Sequence, residues 1–189
     1  MNTKQIALRI FFAMLAGILI VGCDVGVNPL LFDGSPLSAK FRVDESSKSS
    51  FDDSTTINVA EVLSSVDKDI DSIKVFNITL QIDSLTDGTQ GTTKLSGTAM
   101  IDGHILFTIL DPGVELSAFA SERSIFDETI SGGPIFRADG VAHLISRLHS
   151  LHSSSPPASV TVRVSGSASS STLHFTVKLK LYTQIYTTP

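Results

Sequence analysis

The last fifteen residues before the C-terminal tripeptide constrain the fold most. From Thr172 to Tyr186 the chain alternates strictly. Leu173, Phe175, Val177, Leu179, Leu181 and Ile185 fall on one side, with Thr183 as the polar exception. His174, Thr176, Lys178, Lys180, Tyr182, Gln184 and Tyr186 fall on the other. A helix would scatter these apolar residues around its whole circumference, whereas a strand gathers them on one face. One apolar and one wet face is the signature of an antiparallel sheet covered on one side.

A second signal agrees. Gly97 to Ile101 and His104 to Ile109 flank Asp102-Gly103. Asp-Gly suits a two-residue turn in which both central residues take positive φ, so a hairpin is predicted, ending at Asp111-Pro112-Gly113. Ile73 to Ile82 also alternates, which places Phe76, Ile78, Leu80 and Ile82 on one predicted face. Val160, Val162 and Val164 form a further strand, followed by a small-residue turn from Gly166 to Ser171. Lys40 to Val43 reads as a first short strand.

Helical signals are fewer. Asn58 and Glu61 form a capping box ahead of a short helix over 59–66. Leu116, Phe119, Ala120 and Arg123 suggest one or two helical turns. Asp139 can cap a helix from Gly140 to about His152, with Val141, Leu144, Ile145, Leu148, Leu151 and His152 along one stripe. The expected fold is therefore mainly β: an antiparallel β-sandwich, with a half-open barrel as the alternative, and one or two short packed helices.

The N-terminus has a different character. Lys4 and Arg9 precede an uncharged apolar run from Ile10 to Val21. A run of about a dozen residues is too short to span a bilayer, which needs roughly 20. Its form is that of an export signal. It ends in Ile20-Val21-Gly22-Cys23. This resembles the lipobox of bacterial lipoproteins. The resemblance implies a thioether-linked diacylglycerol on Cys23, cleavage of residues 1–22, and in most members a third, N-linked acyl chain. Two or three acyl chains anchor a protein stably where one does not. Cys23 is the only cysteine in the chain, so no internal disulfide or cysteine-based zinc site can form.

Removing residues 1–22 leaves 167 of the 189 residues, and takes away two of the 14 basic residues and none of the 19 acids. The remainder carries a formal −7, too acidic for a generic nucleic-acid binder. Residues 23–39 are expected to be a lipidated tether, punctuated by Asn28-Pro29, Asp33-Gly34 and Ser35-Pro36. Residues 40–189 are expected to form one domain, with 44–56 as a flexible acidic loop.

Catalytic and metal signals are thin. His149 and His152 share a helix face and could contribute two ligands to zinc, but a third ligand at helical spacing is missing. A solvated or stripe-edge pair is the preferred reading. No Gly-x-Ser-x-Gly elbow is present. Ser131-Gly132-Gly133-Pro134 fits a turn rather than a phosphate cradle. Asp67, Asp69 and Asp71 alternate before a strand and read as its solvated entrance. Asn77-Ile78-Thr79 matches a glycosylation triplet but fits strand composition better.

Lys178, Lys180, Tyr182 and Tyr186 place basic and aromatic groups on a mostly acidic protein. On an edge strand they would suit recruitment of another chain by strand addition. Lysines on an edge equally suit protection against it. The function expected is a non-catalytic, lipid-anchored module of the bacterial cell envelope that binds or scaffolds an envelope partner. Its membrane contact would come through the acyl chains, with no other cofactor. Whether the inner or outer membrane holds it stays open. An apolar-ligand or lipid carrier, with the ligand between sheet and helix, is the alternative. An envelope hydrolase comes last.

Overall fold

A computed structural model of the protein describes residues 30–33, 36–59, 70–86, 89–152 and 159–187. The strands are β1 (Leu30–Asp33), β2 (Leu37–Glu45), β3 (Ser50–Asn58), β4 (Ile70–Leu85) and β5 (Lys94–Ile101). They continue as β6 (His104–Glu115), β7 (Arg123–Ser124), β8 (Ile135–Phe136), β9 (Ser159–Ala168) and β10 (Leu173–Thr187). Helix α1 spans Ala138–His152, and a 3₁₀ turn spans Leu116–Phe119.

These strands form two antiparallel sheets. In the first, β10 lies between β4 on one side and β2 with β1 on the other, and β7 adds to β4. In the second, the order is β3-β9-β5-β6-β8. The two sheets pack face to face as a β-sandwich, and do not close into a barrel. Along β10 the inward side chains Leu173, Phe175, Val177, Leu179, Leu181, Thr183 and Ile185 are all buried. Burying each large apolar group stabilises by about 1.5–3 kcal/mol, which is why the alternation of this strand dictates its orientation.

Strand β4 departs from the predicted pattern. Asn77 pairs with Tyr182 but Val75 pairs with Thr183, so Phe76 has no partner in the β10 ladder. This bulge resets the alternation. Ile73, Ile78, Leu80 and Ile82 are buried, whereas Phe76 turns outward and is 51% exposed. The inward position predicted for Phe76 is thus corrected.

Two expectations about the N-terminal part of the domain are also corrected. The tether expected over 23–39 overlaps β1 and the start of β2, whose residues pair with β10 from Leu30↔Thr187 to Glu45↔Leu173. The acidic loop expected over 44–56 contains most of β3, which pairs with β9. Its acids have local partners: Asp52 receives two hydrogen bonds from the Arg163 guanidinium. Asp53 accepts the Arg42 backbone N–H at 3.2 Å, which ties β3 to β2 across the seam of the sandwich. Charge on a strand that closes a seam is tolerated because the carboxylates satisfy backbone donors and a neighbouring cation.

The hairpin forms as predicted, with Asp102 at φ 46° and Gly103 at φ 86°. The β6 strand passes beyond Asp111-Pro112-Gly113: the ladder steps from Gly97↔Ile109 to Leu95↔Val114, so Leu110–Gly113 bulge outward. Leu116 and Phe119 of the 3₁₀ turn are buried, while Arg123 belongs to β7 rather than to a helix. Leu144 and Leu148 of α1 are fully buried against the sandwich. The helix expected over 59–66 lies outside the described residues apart from Val59, which is buried beyond the end of β3.

Candidate functional site

The outward side chains of β10 stand in the middle of the first sheet, because both edges of β10 are paired. Strand addition at β10 is therefore excluded: its backbone donors and acceptors are already used. The four residues singled out there, Lys178, Lys180, Tyr182 and Tyr186, share a face with side chains from β2, β4 and the 120–124 segment.

That face has three parts. Near the start of β10, polar and charged groups pair off. His174 Nδ1 lies 2.6 Å from Asp44 Oδ1. Lys178 Nζ lies 3.0 Å from Asp83, and Lys40 Nζ 3.9 Å from the same carboxylate. Such exposed pairs contribute about 0–1 kcal/mol each.

In the middle, Glu122 gathers three donors. Lys180 Nζ lies 2.6 Å from Oε2, Tyr182 donates its hydroxyl to Oε1 at 2.5 Å, and Thr79 donates to Oε1 at 2.7 Å. Lys180 first, then Tyr182 and Thr79, hold the Glu122 carboxyl at a pKa of about 2. In return the carboxylate pushes the Lys180 and Tyr182 pKa values up. Lysine and tyrosine nucleophiles or bases need the opposite shift. This cluster therefore clamps the segment leading into β7 onto the sheet rather than supplying reactive groups. Glu122 was not singled out in the sequence, since its partners are 43 to 60 residues away.

Toward the end of β10 the face becomes aromatic. The Phe76 ring lies 5.9 Å from that of Tyr182. Lys74 Nζ sits 4.8 Å above the centre of the Tyr186 ring, a cation–π contact. No local sequence signal marks Phe76 as part of this face, because the bulge that exposes it depends on register with β10.

A second cluster joins α1 to the hairpin. Asp102 Oδ1 accepts the Thr161 backbone N–H at 2.8 Å, and Oδ2 lies 3.0 Å from His143 Nε2. The His104 and His143 rings stack at 4.2 Å. Partial burial would raise the Asp102 pKa, but the Thr161 N–H, His143 and Arg147 outweigh it and hold it low. His149 lies half-buried on α1, and the side chain of His152 falls outside the described residues. Among the described residues no group of three His, Cys, Asp or Glu is placed to hold a metal ion.

The remaining candidates separate. Asp71 is exposed on β4, and Asp67 and Asp69 lie outside the described residues. Asn77 Oδ1 accepts from Ser124 Oγ at 2.7 Å, so its amide joins β4 to β7. Ser131-Gly132-Gly133 forms part of the wall of an open groove of about 790 Å³ with mixed charges, including Lys94, Asp111 and Glu115. An apolar cavity of about 60 Å³ lies between the two sheets, lined by Phe51, Leu80, Phe107 and Val177 among others. Ligand sites run to roughly 300 Å³ and more, so this is a packing void. Cys23 lies outside the described residues, and among the described residues no helix is long and apolar enough to cross a membrane.

No family model and no curated protein matches the chain. Two solved structures are similar in outline. A decameric BFDV capsid protein is 9% identical, with 82% of this chain and 99% of that one covered, at a TM-score of 0.37. Desmodium yellow mottle tymovirus is 8% identical, with 86% and 84% covered, at a TM-score of 0.30.

Proposed function

We propose that the protein is a lipid-anchored lipoprotein of the bacterial cell envelope, whose β-sandwich is a non-catalytic binding or scaffolding module. The observation that carries this reading is the placement of Cys23. Cys23, at the lipobox position, stands seven residues ahead of Leu30, the first described residue of the sandwich. A span that short keeps a domain against the membrane that holds its acyl chains.

The chemistry of the described face agrees. Lys178 and Lys40 pair with Asp83 and Lys180 with Glu122, and Tyr182 and Lys180 are tuned away from reactivity. The test is metabolic labelling with a radioactive or clickable palmitate in a bacterium that processes lipoproteins. The full chain is expected to take up label and to lose residues 1–22. Cys23→Ser is expected to abolish both the label and membrane recovery. Label uptake by Cys23→Ser, or an uncleaved N-terminus on the parent chain, would sink the reading.

A further inference from the structure

We infer that the aromatic end of the first sheet, built by Lys74, Phe76, Tyr182 and Tyr186, rests on the headgroup zone of the bilayer that holds the anchor. The inference depends on the lipoprotein reading above. It starts from where the chain enters the fold. Leu30 pairs with Thr187 and Leu31 with Tyr186. The first described strand, β1, thus lies directly beside the aromatic end of β10.

The reach is short. Seven residue steps separate Cys23 from Leu30, which is at most about 24 Å of extended chain. The end of the sandwich carrying Tyr186 must therefore stay within that distance of the acyl chains. The opposite end of the face, where Asp44 and His174 pair, is farther away by much of the length of a 15-residue strand.

Composition then selects the occupant. The near end presents a half-exposed phenylalanine, two tyrosines and a lysine as two contacting pairs, Phe76 with Tyr182 and Lys74 with Tyr186. Aromatic rings with polar tips partition to the membrane interface, and lysine suits its headgroups. The neighbouring Glu122 carboxylate is matched by Lys180 and adds little repulsion. A face this small binds lipid weakly by itself. A short tether raises its local concentration to the millimolar range, where weak contacts are occupied. The anchor supplies the membrane affinity; the aromatic end sets which way the domain faces.

The chain provides its own probe. It has two tyrosines and no tryptophan, so its intrinsic emission reports Tyr182 and Tyr186 alone. The full chain, expressed in a lipoprotein-processing bacterium, would be checked by intact mass. It would then be reconstituted into phosphatidylcholine vesicles with or without bromine on acyl carbons near the headgroup. A diacylated or triacylated mass is expected, with about a twofold loss of tyrosine emission in the brominated vesicles. Phe76→Ser combined with Lys74→Glu is expected to recover most of that emission while the protein stays vesicle-bound. Equal emission in both vesicles, from protein of acylated mass, would overturn the docking and leave the anchor standing. Equal emission together with a dimeric mass would assign the face to a second copy instead. An unlipidated mass would overturn both proposals.

Discussion

The two sheets reach the same sandwich by different means. The first is organised around β10 and β4, of 15 and 16 residues. Its cohesion comes from a continuous row of large inward side chains, six of seven of them apolar on β10. The second has shorter strands and depends on close backbone approach. Gly97 pairs with Gly166 between β5 and β9. A Cβ on Gly166 would fall 2.1 Å from the Ser96 carbonyl and 2.9 Å from the Phe51 ring. Phe51, from β3, covers this glycine pair and meets Phe175 of the first sheet edge-on at 6.2 Å. An aromatic ring thus fills the space that two side chains leave empty, and it fastens the sheets together. The lesson is that burial of side chains tolerates some adjustment, whereas backbone contact at glycine tolerates almost none.

This contrast can be broken most severely in the first sheet. Leu179 is fully buried at the centre of β10, so Leu179→Ala is expected to lower stability by about 3–4 kcal/mol through lost transfer energy and a cavity. Guanidinium unfolding followed by tyrosine emission would show it; a loss under about 1 kcal/mol would mean that β10 is not the organising strand. Next comes Gly166→Ala, expected to cost about 2–3 kcal/mol by forcing β5 and β9 apart. Here the far-ultraviolet signal is the sensitive readout, because both tyrosines lie on the first sheet. An unchanged midpoint would show that the contact relaxes freely.

The Glu122 cluster sharpens the comparison at smaller scale. Glu122→Gln is expected to cost about 1–2 kcal/mol at neutral pH, once its partial exposure is discounted. The sign with pH follows from a carboxyl whose folded pKa is depressed. Its contribution is full above the ordinary value of 4.5 and is lost as pH falls toward about 2. The stability gap between the parent and Glu122→Gln should therefore close across that window. A gap that persisted at the acid end would assign the loss to packing instead. The smallest effect is a gain. The Thr183 hydroxyl is buried without a partner, so Thr183→Val is expected to raise stability by about 0.5–1 kcal/mol. A decrease would reveal a hydrogen bond that Val removes.

Legibility followed the range of the interactions. The β10 face, the Asp102-Gly103 hairpin and the α1 stripe depend on residues within a few positions of each other, and all three are present. The β3 strand did not announce itself. Ser50–Asn58 has only Phe51 and Ile57 as large apolar residues, and its acids are acceptable in a strand only because Arg163 and the Arg42 backbone N–H answer them. Gly166 read as the start of a turn, yet β9 continues to Ala168, since a glycine can mark close approach as well as reversal. Of the candidate face, Lys178, Lys180, Tyr182 and Tyr186 were visible by alternation. Lys74, Phe76 and Glu122 were not, because a bulge and a contact across 58 residues bring them there.

Residue by residue, the chain already carries the mainly β class, the facing of the long strand, the tight turn and the helix. Each is a local consequence of side-chain period or of the positive φ that Asp-Gly accepts. It also carries the lipobox resemblance at Cys23. That β10 is central, that Phe76 turns outward and that Glu122 closes over Lys180 and Tyr182 emerge from the assembled sheet alone. The physical reason is that strand order and register are set by partners distant in the chain. A one-residue slip of a strand against its partner exchanges that strand's own buried and exposed faces.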